Sequence, residues 1–287
     1  MAEASTEGQQ PRADREQIVV FPAEVPSGLT RLLGWQDMVE RGLLEEPTPL
    51  PPVSVFPRFV AEPHELVPDL FKPALGHGNV PAPRYVNVAD PQQFLIFTAG
   101  AQRSLPKQNP TAGFYFHFRP QTQADMIPEV TLDGLHPTAP LKLHTKRGCG
   151  GRIERRGPTG MVMPETQDRA HIRAAIAALQ YRHWTGEGFR RLVIATNNEA
   201  LVSGMTEWLP HWERTSWRNW RDEKVRDQDL WKELIKVLAA WREKGLEVSF
   251  WLISERENEI AIRWSGVAAK NIYTKYDSFT VLMGALQ

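Results

Sequence analysis

The chain has a single cysteine, Cys149, among its 287 residues. No internal disulfide can form and no Cys-rich zinc cluster can be assembled, so the fold has to be held by its core. Long apolar runs are missing as well: no stretch approaches the roughly 18 residues of a membrane span. The opening "MAEASTEGQQPRADREQ" is polar and carries no hydrophobic segment, unlike a signal or transit peptide. The expectation is an intracellular protein, cytoplasmic or nuclear, with no membrane partner. Charge of one sign is not in excess either. Lys plus Arg and Asp plus Glu each number 34, so no field of the whole molecule draws it toward nucleic acid, and any basic face is local. No repeat of fixed period is visible.

What is abundant is unevenly placed. Fourteen of the 23 prolines fall before Gln92, as in "EEPTPLPPVSVFPRF", where they oppose long helices and central strands. Residues 1–92 therefore read as a proline-rich, partly disordered N-terminal arm. "GLTRLLGWQDMVERGLL" within it has helical spacing of Leu29, Leu32, Leu33, Trp35 and Leu43, which packs an arm onto a body. A second region, 93–272, follows, and 273–287 reads as a C-terminal tail.

From Phe94 onward, strand and helix patterns alternate. "FLIFT" is an apolar run of strand length, "AGFYFHFRP" alternates as a strand packed on one face, and "GGRIERRG" supplies a third. "TQDRAHIRAAIAALQYRHW" predicts a helix with Thr166 as N-cap and Ile172, Ile176 and Leu179 toward the core. "RRLVIAT" is a buried strand and "NEALVSGMTEWLPHW" a helix. "DQDLWKELIKVLAAWREKG" is an amphipathic helix with Gly245 as its stop. "LEVSFWLI" is the last strand and "NEIAIRWSGVAAK" the last helix. The expected fold is α/β, one mixed five-stranded sheet flanked by helices.

Five phrases in this order, "FTAGAQRSLPKQNPTAGFYFHF", "TQDRAHIRAAIAAL", "LVIATNNEALVSGMTEW", "VRDQDLWKEL" and "ENEIAIRWSGVAA", resemble the type 1 ribonuclease H family, particularly its long fungal members with a proline-rich arm. They cover about two-thirds of the chain. The resemblance implies a ribonuclease H-like fold. It also implies a chemistry in which four carboxylates bring two divalent metal ions to an RNA phosphate, which requires hard anionic oxygen ligands.

At those four positions the sequence departs from the family pattern. Where the family writes Thr, Asp, Gly, this chain writes Thr98, Ala99, Gly100. The Glu expected after an Arg-Ala pair is His171, following Arg169 and Ala170. The Asp expected after a strand-ending Thr is Asn197, following Thr196. In the last helix Asn258 and Ala261 match, but Ile260 and Ile262 replace both acids. The neighbouring acids Asp168, Glu199 and Glu259 lie two or three positions away, and on a helix such shifts turn a side chain by about 200 to 300 degrees. The expectation is a catalytically inactive ribonuclease H-like protein, a pseudoenzyme with no catalytic residue, no metal site and no cofactor, its magnesium binding lost. His171 beside Asn197 leaves a further reading open, an unrelated small-molecule enzyme in a remodelled groove, because His is the usual general base. Ile262 speaks for a groove that is filled instead.

Binding surfaces are separable from the metals. In the first turn of the main helix, Thr166 and Gln167 match the family's backbone-contacting chemistry loosely, with Asp168 placing an anion where a phosphate would approach. In "RTSWRNWRDEKVRDQDLW", Arg214, Arg218, Arg221, Lys224 and Arg226 interleave with Trp217 and Trp220. Such a mixture contacts phosphates with its cations and sugars or bases with its indoles, or else is a solvated loop anchored by its indoles. A third patch gathers Lys142, Lys146, Arg147, Arg152, Arg155 and Arg156 around Glu154 alone. The partners implied are an RNA/DNA hybrid or another nucleic acid, held weakly, or a protein for which the fold is a scaffold.

Overall fold

The computed structural model describes residues 50, 54–76, 82–104, 106, 109–120, 143–144, 147–270 and 277–281. The helical pattern expected at Leu29 to Leu43 lies outside them, as do Lys142 and Lys146 and most of the expected tail.

Eight strands form one mixed sheet: β1 (Phe71–Leu75), β2 (Pro83–Asn87), β3 (Gln93–Arg103), β4 (Thr111–His117), β5 (Leu143–His144), β6 (Gly148–Arg152), β7 (Arg191–Thr196) and β8 (Glu247–Leu252). β3 is the axis. Along one edge it pairs in parallel with β7 from Gln93 to Thr98, and β7 pairs in parallel with β8. Along the other edge it pairs antiparallel with β4 from Phe97 to Arg103, and β4 continues antiparallel to β6 and then β5. These are the expected strands with β5 added.

The other addition comes from the proline-rich region. β1 and β2 are an antiparallel pair, and β2 joins β3 at Phe94 and Leu95, the stretch of that edge not taken by β4. The expected boundary at 92/93 thus runs through a hydrogen-bonded ladder. Proline did not prevent this, because Pro73 sits on the outermost strand, where a missing N–H removes no central bond. The segment before β1 also reaches the far edge of the sheet. Phe59 N–H donates to Phe250 O at 2.9 Å and Phe250 N–H to Pro57 O at 3.0 Å, which covers the β8 edge that would otherwise be open.

Helices cover both faces. α1 (Gln167–Gln180) begins at Thr166, whose hydroxyl caps Arg169 N at 3.2 Å. It is buried continuously from Arg169 to Leu179, more than the single core stripe expected, because its alanines let the sheet and α4 (Gln228–Glu243) close on it together. Trp241 of α4 donates its indole N–H to Leu179 O at 3.0 Å. α2 (Glu199–Ser203) runs through one π turn, Gly204–Trp208, into α3 (Leu209–Arg214), as one helical stretch. α5 (Glu259–Lys270) lies on the opposite face.

β4 is therefore buried on both faces rather than one: Phe114 and Phe116 join the α1 core and Tyr115 the α5 core. Two glycines set the spacing. A Cβ on Gly100 would lie 2.4 Å from His171 N, and one on Gly113 would lie 2.2 Å from Ala269 N, so α1 and α5 each approach the sheet where it has no side chain.

Candidate nucleic-acid interface and remodelled centre

The four positions singled out in the sequence gather around the middle of β3, where its parallel pairing with β7 ends at Thr98 and Thr196, though not in one cavity. Ala99 is wholly buried in the core under α5, with Tyr115 and Ala261 in the same cluster and Ile262 packed against it. On the other face, His171 of α1 lies beneath Gly100. Gly100 N–H donates to His171 Nδ1 at 3.1 Å, and Thr196 Oγ1 lies 3.4 Å from the same nitrogen. Nδ1 is thus an acceptor and the ring proton sits on Nε2, which is buried with no protein partner. Burial brings the imidazole pKa down to about 4, against a weaker opposing pull from Asp168, so the ring is neutral at pH 7. Asn197 stands at the end of β7 and accepts through Oδ1 from Asn258 Nδ2 at 2.9 Å; the same amide also donates to Thr98 O at 3.0 Å.

The neighbouring acids are differently engaged. Asp168 Oδ1 accepts from Asn198 Nδ2 at 3.1 Å, while Asn198 Oδ1 caps α2 through Leu201 N at 2.7 Å. Glu199 and Glu259 are exposed. Among the described residues, no group of three or more His, Cys, Asp or Glu side chains is arranged to hold a metal ion.

The first turn of α1 presents Gln167 to solvent, while the Thr166 hydroxyl is engaged as the cap. Its most consequential residue is Arg169, which in the sequence serves only to mark the register of His171. Its guanidinium is buried and donates twice to Asp229, at 2.7 Å each, and to Asp227 at 3.1 Å. The pair lies 60 positions apart in the chain. This network ties the start of α1 to the end of the Arg and Trp segment, since Asp227 is the residue that opens α4.

That segment, Arg214 to Arg226, is a built loop. Ser216, Trp217, Asp222 and Asp227 all have positive φ, from 53° to 64°, a conformation that costs non-glycine residues energy and persists where surroundings over-determine it. Trp217 N–H donates to Trp212 O, Val225 N–H to Trp217 O, and the Asn219 side chain accepts from the N–H groups of Arg221 and Glu223. Trp217 packs against the main core, with the Lys232 ammonium over its ring, whereas Trp220 is 64% exposed. Arg218, itself exposed, donates to Asp222 O and pairs with the exposed Asp222 carboxylate at 3.4 Å. Arg214 donates to Pro210 O, and Arg221, Lys224 and Arg226 are exposed with no ion-pair partner among the described residues.

The third patch is a different case. Arg152 pairs with Glu165, Arg155 and Arg156 both pair with Asp277, and Arg147 donates to Tyr85 Oη. Glu154, the one acid seen in sequence, is buried and pairs with the fully buried Arg173 of α1 at 2.6 Å. Acids from outside the patch, Glu165 and Asp277, thus offset part of the positive charge expected there.

A mixed sheet with a parallel β3-β7-β8 half, an antiparallel β3-β4-β6 half and a helix on each face is the ribonuclease H-like architecture. No family model matches the chain. The ribonuclease H of Pelobacter propionicus is 39% identical over 74 residues, 26% of this chain and 43% of the relative. That of Geotalea uraniireducens is 34% identical over 105 residues, 33% of this chain and 69% of the relative. The crystal structure of LC9-RNase H1, a type 1 RNase H with the type 2 active-site motif, matches with a TM-score of 0.39 and 17% identity, over 62% of this chain and 72% of that one. The chain belongs to the ribonuclease H family, and it spans less than half the length of the Pelobacter relative.

Proposed function

We propose that this chain is a non-cleaving member of the ribonuclease H family, of the type 1 fungal kind, that binds nucleic acid weakly without magnesium chemistry. The observation that carries the reading is the donor set at the four positions. Ala99 and Ile262 offer no donor atom. His171 uses Nδ1 to accept from Gly100 and keeps its proton on a buried Nε2, and Asn197 spends its oxygen on Asn258. Two divalent cations at a phosphate need anionic oxygens, and this set does not fit them. The enclosure of His171, 1% exposed, also speaks against a small-molecule enzyme that would use it as a general base, since a substrate proton has to come within hydrogen-bond reach.

Support for binding rests on the exposed cations Arg221, Lys224 and Arg226 beside exposed Trp220. A labelled RNA/DNA hybrid should bind with an affinity that falls as salt rises, because cations that neutralise phosphates release counterions. Replacing Arg221, Lys224 and Arg226 with Glu should abolish that binding in fluorescence anisotropy. Unchanged binding by the triple variant would locate the interface elsewhere, and stoichiometric capture of one protein by a chain that ignores the hybrid would favour the scaffold reading.

A further inference from the structure

The exposed indole of Trp220 is not a loose surface group. It stacks on the His211 imidazole with ring centroids 4.2 Å apart and planes 5° from parallel, and the edge of Trp208 meets it at 6.4 Å. Trp208 leans in turn on Trp212 at 5.9 Å, and buried Trp212 on Trp231 at 5.2 Å. The indole is thereby braced from the core outward while it remains 64% exposed. The backbone that carries it is fixed by the Asn219 side chain and flanked by the positive-φ residues Trp217 and Asp222. The acids of the same loop are engaged, Asp222 by Arg218 and Glu223 by Asn219, which leaves Arg221, Lys224 and Arg226 as cations facing solvent.

We infer that Trp220, backed by His211, is a stacking platform for an unpaired nucleobase, with Arg221, Lys224 and Arg226 holding the adjoining phosphates. The inference rests on the nucleic-acid reading above and names its ligand class: single-stranded nucleic acid. Inside a duplex every internal base already has both faces stacked, so apart from the two end pairs a rigid exposed ring finds a free π-face only on unpaired bases. Cations beside an aromatic platform are the combination that retains single strands with little sequence preference.

The test compares a labelled single-stranded oligonucleotide with a blunt-ended RNA/DNA hybrid of the same sequence, both by anisotropy at several salt concentrations. The full chain should bind the single strand more tightly. Trp220→Ala should weaken single-strand binding about tenfold, roughly 1.4 kcal/mol, and leave the hybrid within about twofold, while Trp220→Phe recovers most of the loss. Arg221→Glu with Lys224→Glu should weaken both ligands and flatten the salt dependence. Equal affinity for both ligands, or a Trp220→Ala variant that binds the single strand as the parent does, overturns the platform while leaving nucleic-acid binding in place. If neither ligand binds at low salt, the underlying reading falls and the platform with it. The side chain is on the surface, so the variants should keep the parent circular dichroism.

Discussion

At the scale of single residues, His171 shows what a buried imidazole can do between a helix and a sheet. A carboxylate there would be an anion in search of a cation; the neutral imidazole instead accepts a backbone N–H and seals α1 onto Gly100. The arrangement has a pH signature. His171 titrates near 4 in the folded chain and near 6.5 when unfolded, so below pH 6.5 the unfolded state binds a proton that the folded state refuses. Its contribution to stability is complete above about pH 6.5 and is lost as pH falls toward 4, an amount of about 3 kcal/mol by linkage. His117, held well below its ordinary value by burial and then by Arg147, acts in the same direction. His171→Asn keeps an acceptor near Gly100 but cannot titrate. Urea unfolding at pH 7 and pH 4.5 should therefore show a smaller acid loss for this variant than for the parent; equal losses would mean that the ring is already charged in the folded state.

At the scale of elements, the two helices that close the faces depend on missing side chains in the strands beneath them. Gly113 faces backbone atoms of α5, which cannot swing aside as a flexible side chain can. Gly113→Ala should cost about 1–3 kcal/mol, read as a lower urea midpoint with an unchanged slope; an unaltered midpoint would show that α5 can lift without loss. Most elements were legible in the sequence, because their periods are local: the apolar runs of β3, β7 and β8, the Thr166 cap and the amphipathic stripe of α4 all lie within a dozen residues. What was not legible is long-range. Nothing in "DRAHIR" announces that Arg169 will clamp Asp227 and Asp229, or that Arg173 will neutralise Glu154, since each partner arrives from another element. β1 and β2 were hidden for a related reason. Their prolines look like an arm until the outer-edge position of β1 is known. The register of the family resemblance is marked by a Thr at Thr98 and Thr196, whereas the placing of Ala99 and His171 on opposite faces of the sheet required coordinates.

At the scale of the whole molecule, the described residues ahead of β3, 54–76 and 82–92, are part of the architecture. Phe56 is buried against Phe250, and Phe59, Phe71 and Trp251 form an aromatic triangle with centroids 4.9 to 6.0 Å apart over the α5 face. Phe56→Ala should lower stability by about 3–5 kcal/mol in chemical denaturation, far more than an arm resting on a finished domain would lose. Such a molecule keeps the ribonuclease H frame, with Ala99 buried and Ile262 packed against the same cluster, while an exposed indole and the exposed cations Arg221, Lys224 and Arg226 lie on the loop that Arg169 ties to the start of α1. The proposed absence of cleavage is decided by incubating an end-labelled RNA/DNA hybrid with excess protein in magnesium, with and without EDTA, and resolving the products on a denaturing gel. A non-cleaving chain leaves the RNA strand intact at every time point; RNA fragments that appear with the protein, vanish with EDTA and vary with mutations in the chain itself would contradict the proposal.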